Sequence, residues 1–196
     1  MLVRLIIMTG SARRDSLNRI TALALKDAAE RAGASTTWIE PSDYPLPLYD
    51  GDLEAAEGLP DAAARLQSVF AGHDGLLLAG PEYNGFFSPL VKNTFDWLSR
   101  PLPGDPGRSG TLHFRGKPAG IATASPGALG GIRSLQHTRQ YLSNLGFLVV
   151  PDQLGIPFAN KAFGADGKPV EARTSTALEA VASAVVRLAE RLHQGT

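Results

Sequence analysis

The sequence predicts an α/β domain built on a parallel β-sheet, and three observations lead to this fold class. Apolar stretches of strand length alternate along the chain with stretches in which apolar residues recur every three or four positions. Glycine or proline stands at many of the boundaries between them. No internal repeat and no long linker interrupts the alternation, so a single domain spanning residues 1–196 is expected.

Five stretches are predicted to be strands because they are short and apolar. They cover residues 2–8, 35–39, 75–79, 119–124 and 148–150, the last with a few neighbouring residues. The first contains Arg4 and is far shorter than the roughly 20 apolar residues of a membrane-spanning helix. It also lacks the features of a signal peptide, so a cytoplasmic protein with no membrane partner is expected.

Five stretches of helical periodicity alternate with these strands. The first begins at Leu17 and stops at Gly33, where a left-handed glycine is expected. The second opens at Pro60 and ends at Gly72. The other three begin near Pro89, run from Ile132 to Gly146, and cover residues 178–192. Five strands and five helices predict a flavodoxin-like, doubly wound parallel sheet with helices on both faces.

Two segments break the alternation. Residues 41–60 are rich in proline and acidic side chains, which predicts an extended surface connection. Residues 100–117 contain so many glycines and prolines that a loop or lid is expected rather than a packed element.

The composition excludes several classes of function. The chain has no cysteine, so thiolate nucleophiles, disulfide scaffolds, cysteine-bound zinc and cysteine-ligated iron–sulfur clusters are ruled out. Its 19 Lys and Arg balance 19 Asp and Glu. A nucleic-acid binder usually carries a basic excess that displaces counterions from phosphates, so no nucleic-acid partner is expected.

The segment after the first strand has the side chains of a phosphate site. Ser11, Ser16 and Asn18 can hydrogen-bond to an anion, Arg13 adds a positive charge, and the first helix begins here with its unpaired N–H groups. The alternative is that Ser16 is only a helix N-cap and that the arginines are solvated.

The segments after the third and fourth strands offer a different surface. Aromatic side chains at Tyr83, Phe86 and Phe87, with the Asn84 amide, suit a flat heterocycle. Glycines in the segment 125–131 let the backbone approach a ligand closely. A turn with buried aromatics and a tight glycine turn are the respective alternatives.

Other chemistries lack their motifs. No two glycines are two positions apart, so the dinucleotide-binding G-x-G-x-x-G pattern is absent, and residues 164–168 do not match a Walker loop. Pro126 follows the only Ser that resembles a nucleophile elbow and has no N–H for an oxyanion hole. The four histidines lack metal-ligand spacing, so neither a metal site nor a catalytic side chain is predicted.

Four motifs, in order along nearly the whole chain, resemble the NAD(P)H-dependent FMN reductase family, and within it the bacterial chromate and quinone reductases. They are Gly10-Ser11-x-Arg13-x-x-Ser16-x-Asn18, Pro81-Glu82-Tyr83-Asn84, Lys92-Asn93-x-x-Asp96-Trp97-x-Ser99 and Ser125-Pro126-Gly127-x-x-Gly130-Gly131-x-Arg133. The segments 85–89 and 100–117 depart from the family pattern, and both flank the expected substrate face.

The resemblance implies a flavodoxin-like fold with non-covalent FMN and with NADPH or NADH as co-substrate. The phosphate of FMN would lie at the segment after the first strand and its isoalloxazine ring at the segment after the third strand. The far edge of the ring would lie at the segment 125–131, after the fourth strand. The implied cofactor-binding residues are Ser11, Arg13, Ser16, Leu17, Asn18, Pro81, Glu82, Tyr83, Asn84, Ser125, Gly127, Gly130 and Gly131. Arg133 is an additional candidate for contact with the reduced ring.

The expected reaction is a ping-pong hydride transfer through N5 of FMN, with the flavin as the reactive centre. Quinones, chromate, azo compounds and free flavin are the expected small-molecule acceptors. The resemblance also implies a homodimer or homotetramer, for which Phe86 and Phe87 would be exposed contacts. The alternatives are a flavodoxin-like electron carrier, disfavoured by the neutral charge, and a flavin-bound regulatory protein.

Overall fold

The computed structural model of the protein describes residues 2–194. Met1, Gly195 and Thr196 belong to the predicted single domain 1–196 but lie outside the described residues, so the limits of the domain stay a prediction. The elements in chain order are β1 (Arg4–Thr9), α1 (Leu17–Arg31), β2 (Ser35–Ile39), α2 (Gly51–Glu57), α3 (Asp61–Ala71), β3 (Gly75–Ala79), β4 (Glu82–Tyr83), β5 (Phe86–Phe87), α4 (Pro89–Leu98), β6 (Pro101–Leu102), β7 (Asp105–Ser109), β8 (Pro118–Ala124), α5 (Ile132–Asn144), β9 (Leu148–Ile156) and α6 (Ala172–Gln194).

Five strands form one parallel sheet in the order β2-β1-β3-β8-β9, which confirms the predicted doubly wound α/β fold. In the register of this sheet, Ile7 of β1 lies opposite Trp38 on one side and Leu77 on the other. The chain moves from β1 outward to β2 and then returns past β1 to β3. Ligands of open α/β sheets bind at the carboxyl ends of the strands where the order reverses in this way.

The inner strand β1 fixes the position of that crevice because its alternate residues enter two different cores. Leu5 and Ile7 pack with α1 and α6, while Ile6 and Met8 pack under α3, α4 and α5. All four side chains are buried. Each contributes about 1.5–3 kcal/mol by leaving water, so β1 and the segment that follows it are held firmly in place.

The segment 41–60 contains helical structure, so the expectation of an extended connection is wrong. A 3-10 turn forms at Pro41–Asp43, and α2 follows it. Asp50 begins α2 as its N-cap, since its carboxylate accepts a hydrogen bond from the Asp52 N–H at 2.8 Å. An acidic side chain that the composition associates with a surface loop is here the start signal of a helix.

Side chains of α4 attach this segment to the rest of the domain. The Pro47 carbonyl accepts hydrogen bonds from Asn93 Nδ2 and Trp97 Nε1, each at 2.8 Å. The Tyr49 N–H donates to Asn93 Oδ1 at 2.7 Å. Asn93 and Trp97, which belong to the third motif of the sequence, therefore act as structural anchors.

The expectation of an unpacked loop or lid over residues 100–117 is also wrong. The segment forms a hairpin of β6 and β7, then a 3-10 turn, and then enters the core at Phe114, which has no exposed surface. The Phe114 ring stacks on Phe147 with 5.1 Å between the ring centroids. Gly110 is required by close packing, since a Cβ there would lie 2.0 Å from the Leu98 carbonyl oxygen.

The last strand of the sheet is longer than expected and runs through Ile156. It shifts register against β8 near Ala119, which indicates a bulge in this edge pair. Among residues 2–194, no helix combines the length and apolar character needed to cross a bilayer.

Replacing Phe114 by alanine should lower the free energy of unfolding by about 3–5 kcal/mol, because it removes a fully buried ring and leaves a cavity. The matched control is Leu112→Ala in the same segment, where the side chain is exposed and the expected loss is below about 1 kcal/mol. Urea denaturation followed by circular dichroism measures both values. Equal losses for the two variants would contradict the packing of this segment.

Candidate functional site

A cavity of about 120 Å³ lies at the carboxyl ends of β1, β3 and β8, where the sheet order predicts a ligand site. The segments after all three strands contribute to its wall. The lining residues are Ser11, Arg13, Ser16, Leu17, Asn18, Pro81, Glu82, Tyr83, Ala124, Ser125 and Pro126. The structure therefore brings together most of the cofactor-binding residues that the sequence predicts.

Four of the predicted residues do not line this cavity. Asn84 lies in a second, more open cavity of about 560 Å³ that also has Glu82 and Tyr83 in its wall. Gly127, Gly130 and Gly131 lie in the segment that leads from Ser125 to α5. Ala124 and Pro126 were missed in the sequence because neither has a functional group that would have marked it.

The β1–α1 segment combines two buried serines with two exposed arginines. Ser16 caps α1, since its Oγ accepts from the Asn18 N–H at 3.2 Å. The Ser11 Oγ accepts from the Arg13 N–H at 3.3 Å. Ser11 and Ser16 are buried, whereas Arg13 and Arg14 are exposed and neither guanidinium has an ion pair within residues 2–194. Their charge adds to the positive end of the α1 dipole.

The Asn18 side chain ties this segment to β8. Its Nδ2 donates to the Ala124 carbonyl at 2.9 Å, and the Ala124 N–H donates to its Oδ1 at 2.8 Å. Asn18 is buried, so both bonds form away from water. One amide N–H remains for a ligand, and a phosphate contact from Asn18 stays a prediction.

The β3–α4 segment forms a small hairpin of β4 and β5. Its turn consists of Asn84 and Gly85, which both have positive φ values, 53° and 86°. Asn-Gly is the preferred pair for such a turn, so the sequence contained a signal for this hairpin. Ser88 follows the hairpin and caps α4, and its Oγ donates to the Gly10 carbonyl at 2.6 Å. The second segment is thereby tied to the first.

Glu82 ties the hairpin to the third segment. Its carboxylate accepts from the backbone N–H groups of Arg133 and Ser134 at 3.1 and 3.2 Å, and from the Arg133 guanidinium Nε at 2.7 Å. Burial alone would raise the pKa of the Glu82 carboxyl, but these hydrogen bonds outweigh it and hold the pKa below its usual value. Glu82 is therefore an anion at the N-terminus of α5. Arg133 is neutralised by this pair instead of facing the cavity as a lone charge.

The glycines before α5 are required by conformation and by space. Gly130 and Gly131 have φ values of 59° and 83°. A Cβ at Gly131 would lie 2.2 Å from Thr123 Oγ1, and one at Gly130 would lie 2.7 Å from the Pro157 nitrogen. A side chain at either position would displace the segment from the end of β8.

Two hydroxyl groups at the strand ends are buried without a hydrogen-bond partner among the described residues. They are Oγ1 of Thr9, the last residue of β1, and Oγ1 of Thr123 near the end of β8. Buried polar atoms are normally hydrogen-bonded, and exceptions concentrate where a ligand or water completes the structure. Both were overlooked in the sequence because a threonine inside an apolar strand is typical of a strand.

The aromatic residues of the hairpin have different surroundings. Tyr83 and Phe86 are nearly half exposed, whereas Phe87 is buried. The expectation that Phe86 and Phe87 are both exposed contacts is therefore wrong for Phe87, which stacks on Tyr141 of α5 at 4.9 Å between centroids. Phe86 stacks on His137 one helical turn earlier, at 4.3 Å. Two stacked aromatic pairs thus pack the hairpin against α5.

The chain matches the model of a known protein family, described as NADPH-dependent FMN reductase, over residues 3–161. It is 33% identical over 174 residues to a quinone reductase of Escherichia coli, covering 88% of this chain and 87% of that protein. It is 36% identical over 169 residues to an NAD(P)H-dependent FMN reductase of Pseudomonas aeruginosa, covering 85% and 84%.

Solved structures show the same architecture. The flavoenzyme NAD(P)H:(acceptor) oxidoreductase FerB of Paracoccus denitrificans superposes with a TM-score of 0.81 at 28% identity, over 97% of this chain and 98% of that one. An archaeal flavodoxin superposes with a TM-score of 0.57 at 8% identity and supports the fold alone.

Replacing Glu82 by glutamine should lower the free energy of unfolding at pH 7 by about 1.5–3 kcal/mol, the range for hydrogen bonds to charged groups. The folded pKa is lowered, so the wild-type advantage is complete above the unfolded pKa of about 4.3 and disappears as the pH falls through the lower folded value. Urea denaturation of both proteins between pH 7 and pH 3 measures the difference. The exposed Glu190→Gln change in α6 is the control, and a pH-independent difference would contradict the assignment.

Proposed function

Because the chain belongs to the NADPH-dependent FMN reductase family and is an NAD(P)H-dependent oxidoreductase with FMN as cofactor, we propose that FMN binds between the three segments and serves the reduction of quinones or similar small acceptors. The observation that carries this proposal is the cavity itself. Its wall combines residues from three segments that lie far apart in the sequence, including Ser11, Pro81 and Ser125.

The β1–α1 segment fits a phosphate. The Ser11 and Ser16 side chains line the cavity, Arg13 supplies a positive charge without a carboxylate partner in residues 2–194, and α1 begins at the cavity wall. The first N–H groups of a helix have no intrahelical partners and attract anions. We assign Ser11, Arg13, Ser16 and the start of α1 to the phosphate of FMN, with Asn18 as the residue that holds this segment against β8.

The other two segments fit a flat ring. Pro81 and Tyr83 contribute one part of the wall, and Ser125 and Pro126, at the start of the segment 125–131, contribute another. The Thr123 hydroxyl, which has no partner among the described residues, lies near the end of β8, from which the segment 125–131 starts. The Thr9 hydroxyl, also without such a partner, lies at the end of β1, beside Ala79 at the end of β3. Asn84 and Tyr83 extend this wall into the open cavity, which leaves room for a second ring beside the first.

FMN, when bound, supplies the redox chemistry, because N5 of its ring accepts and donates a hydride. The residues of the chain would hold the ring and a substrate at the distance that hydride transfer needs, and orientation of this kind provides a large part of the rate enhancement. We propose that the nicotinamide and the acceptor occupy the open cavity beside Tyr83 in turn, which gives ping-pong kinetics.

Quinones are the acceptors with the most support. Relatives from Escherichia coli and Pseudomonas putida are named quinone reductase, and one from Burkholderia is named 2-hydroxy-1,4-benzoquinone reductase. An electron carrier that docks on a basic partner usually has an acidic surface, whereas this chain has no net charge. Chromate, azo compounds and free flavin are further acceptors to test.

A homodimer is proposed from the rim of the site. Four large apolar side chains are exposed there, on the hairpin and around the start of α5, namely Tyr83, Phe86, Leu129 and Ile132. Grouped apolar side chains on a surface are typical of a protein contact, and a twofold contact would pair this patch with itself. A tetramer and a cytoplasmic location also stay predictions.

Replacing Arg13 by alanine should weaken FMN binding by about tenfold, equivalent to about 1.4 kcal/mol, because one charged contact to the phosphate is lost. Flavin fluorescence of the protein after gel filtration, with titration of FMN into the flavin-free protein, measures the effect. Arg187→Ala, on the exposed side of α6, is the control. Equal FMN retention by wild type and Arg13→Ala would contradict the phosphate assignment.

The function itself is tested by purifying the protein, recording its visible spectrum and following NADPH and NADH oxidation with benzoquinone, chromate, an azo dye and free FMN. A yellow protein with quinone-dependent oxidation and parallel double-reciprocal plots is expected. Bound FMN without nucleotide oxidation would instead identify an electron carrier or a regulatory protein. A colourless protein that FMN cannot reconstitute would contradict the cofactor assignment.

A further inference from the structure

A further cavity among residues 2–194 contains none of the predicted cofactor-binding residues but adjoins them. It has a volume of about 700 Å³ and lies between the end of β9, the segment that follows, and the start of α6. Its wall includes Ile156, Phe158, Lys161, Arg173 and Ala177. The function proposed above uses none of these residues.

The wall of this cavity is hydrogen-bonded to the segment 125–131, which follows β8. The Phe158 N–H donates to the Gly127 carbonyl at 3.2 Å, and the Ala159 N–H donates to the Ser125 carbonyl at 2.9 Å. Gly130 packs against the backbone of Pro157. A molecule in this cavity would therefore lie on the other side of the segment that forms one wall of the flavin site.

Phe158 presents an aromatic ring under backbone strain. It has a φ of 47°, in the left-handed region, and its residue surface is 56% exposed. Non-glycine residues in this conformation are uncommon and concentrate at binding sites. Around it the cavity wall is largely apolar, as Leu154, Ile156 and Ala162 also belong to it. Such a surface suits the face of a heterocyclic ring.

The rim of the cavity is positively charged. The Lys161 ammonium has no hydrogen bond or ion pair within the described residues. Arg173 has only a loose contact of 3.9 Å with the Glu171 carboxylate, and the side chains of Arg173 and Glu171 are both exposed. Two cations and one carboxylate thus surround the apolar wall. This combination suits a ligand with an aromatic base and more than one phosphate.

We propose that this cavity binds the adenosine-phosphate half of NAD(P)H, with adenine against Phe158 and the phosphates at Lys161 and Arg173. This inference rests on the proposed function, since NAD(P)H is the hydride donor in that function. Glu171 opposes the phosphates by its charge. NADPH carries one phosphate more than NADH, so the two cations would strengthen the binding of NADPH more than that of NADH.

The direct test titrates adenosine 2′,5′-bisphosphate, which has no nicotinamide, into the FMN-loaded protein by calorimetry. Lys161→Ala and Arg173→Ala are each expected to weaken its binding about three- to tenfold. Glu171→Gln is expected to strengthen it. Lys168→Ala and Arg187→Ala remove cations outside this cavity and should leave binding unchanged.

Phe158→Gly separates binding from stability. Glycine relieves the left-handed strain, so the variant is expected to unfold at an equal or higher urea concentration, while loss of stacking weakens bisphosphate binding about fivefold or more. A purely structural role for the ring would not move these two measurements in opposite directions.

Steady-state kinetics supply the second readout. Lys161→Ala and Arg173→Ala should raise KM for NADPH more than for NADH, and KM for reduced nicotinamide mononucleotide, which lacks the adenosine half, should not change. Wild-type bisphosphate affinity in all variants would overturn the adenosine site. A protein that binds the bisphosphate but oxidises neither nucleotide would overturn the proposed function and leave the adenosine site supported.

Discussion

The pairing of the Asn18 amide with the backbone of Ala124 is the interaction on which the site depends. It joins the start of α1 to the end of β8 across 106 residues of chain, with bonds of 2.8 and 2.9 Å in a buried position. A hydrogen bond of this kind contributes about 1 kcal/mol, but loss of one partner leaves buried polar groups unpaired and costs more. The β1–α1 segment and the end of β8 are therefore held in a fixed position relative to each other.

Two further ties complete the frame. Ser88 joins the hairpin to Gly10, and Glu82 joins the hairpin to the first turn of α5. Each of the three segments is thus bonded to the other two. A crevice between strand ends becomes a site of fixed shape without help from a ligand, and a preorganised site avoids the entropic cost of ordering loops during binding.

Much of this arrangement was predictable from the sequence because it depends on local pattern. The alternation of apolar stretches predicts the sheet, and hydroxyl, proline and glycine residues mark the three segments at the strand ends. The frame itself was not predictable, since the partner of Glu82 lies 51 residues away and that of Asn18 lies 106 residues away. The same holds for Phe87 and Phe114, whose burial is decided by Tyr141 and Phe147 on other elements. Composition also misled at residues 41–60, where Asp50 starts a helix within a stretch rich in proline.

Amide hydrogen exchange of the flavin-free protein tests most directly whether the three segments form a fixed frame. The N–H groups of Gly10, Ala124 and Arg133 donate to Ala79, Asn18 and Glu82, so the account predicts that all three are protected before FMN is added and change little afterwards. Fast exchange at these positions without FMN, with protection only after FMN binds, would contradict it.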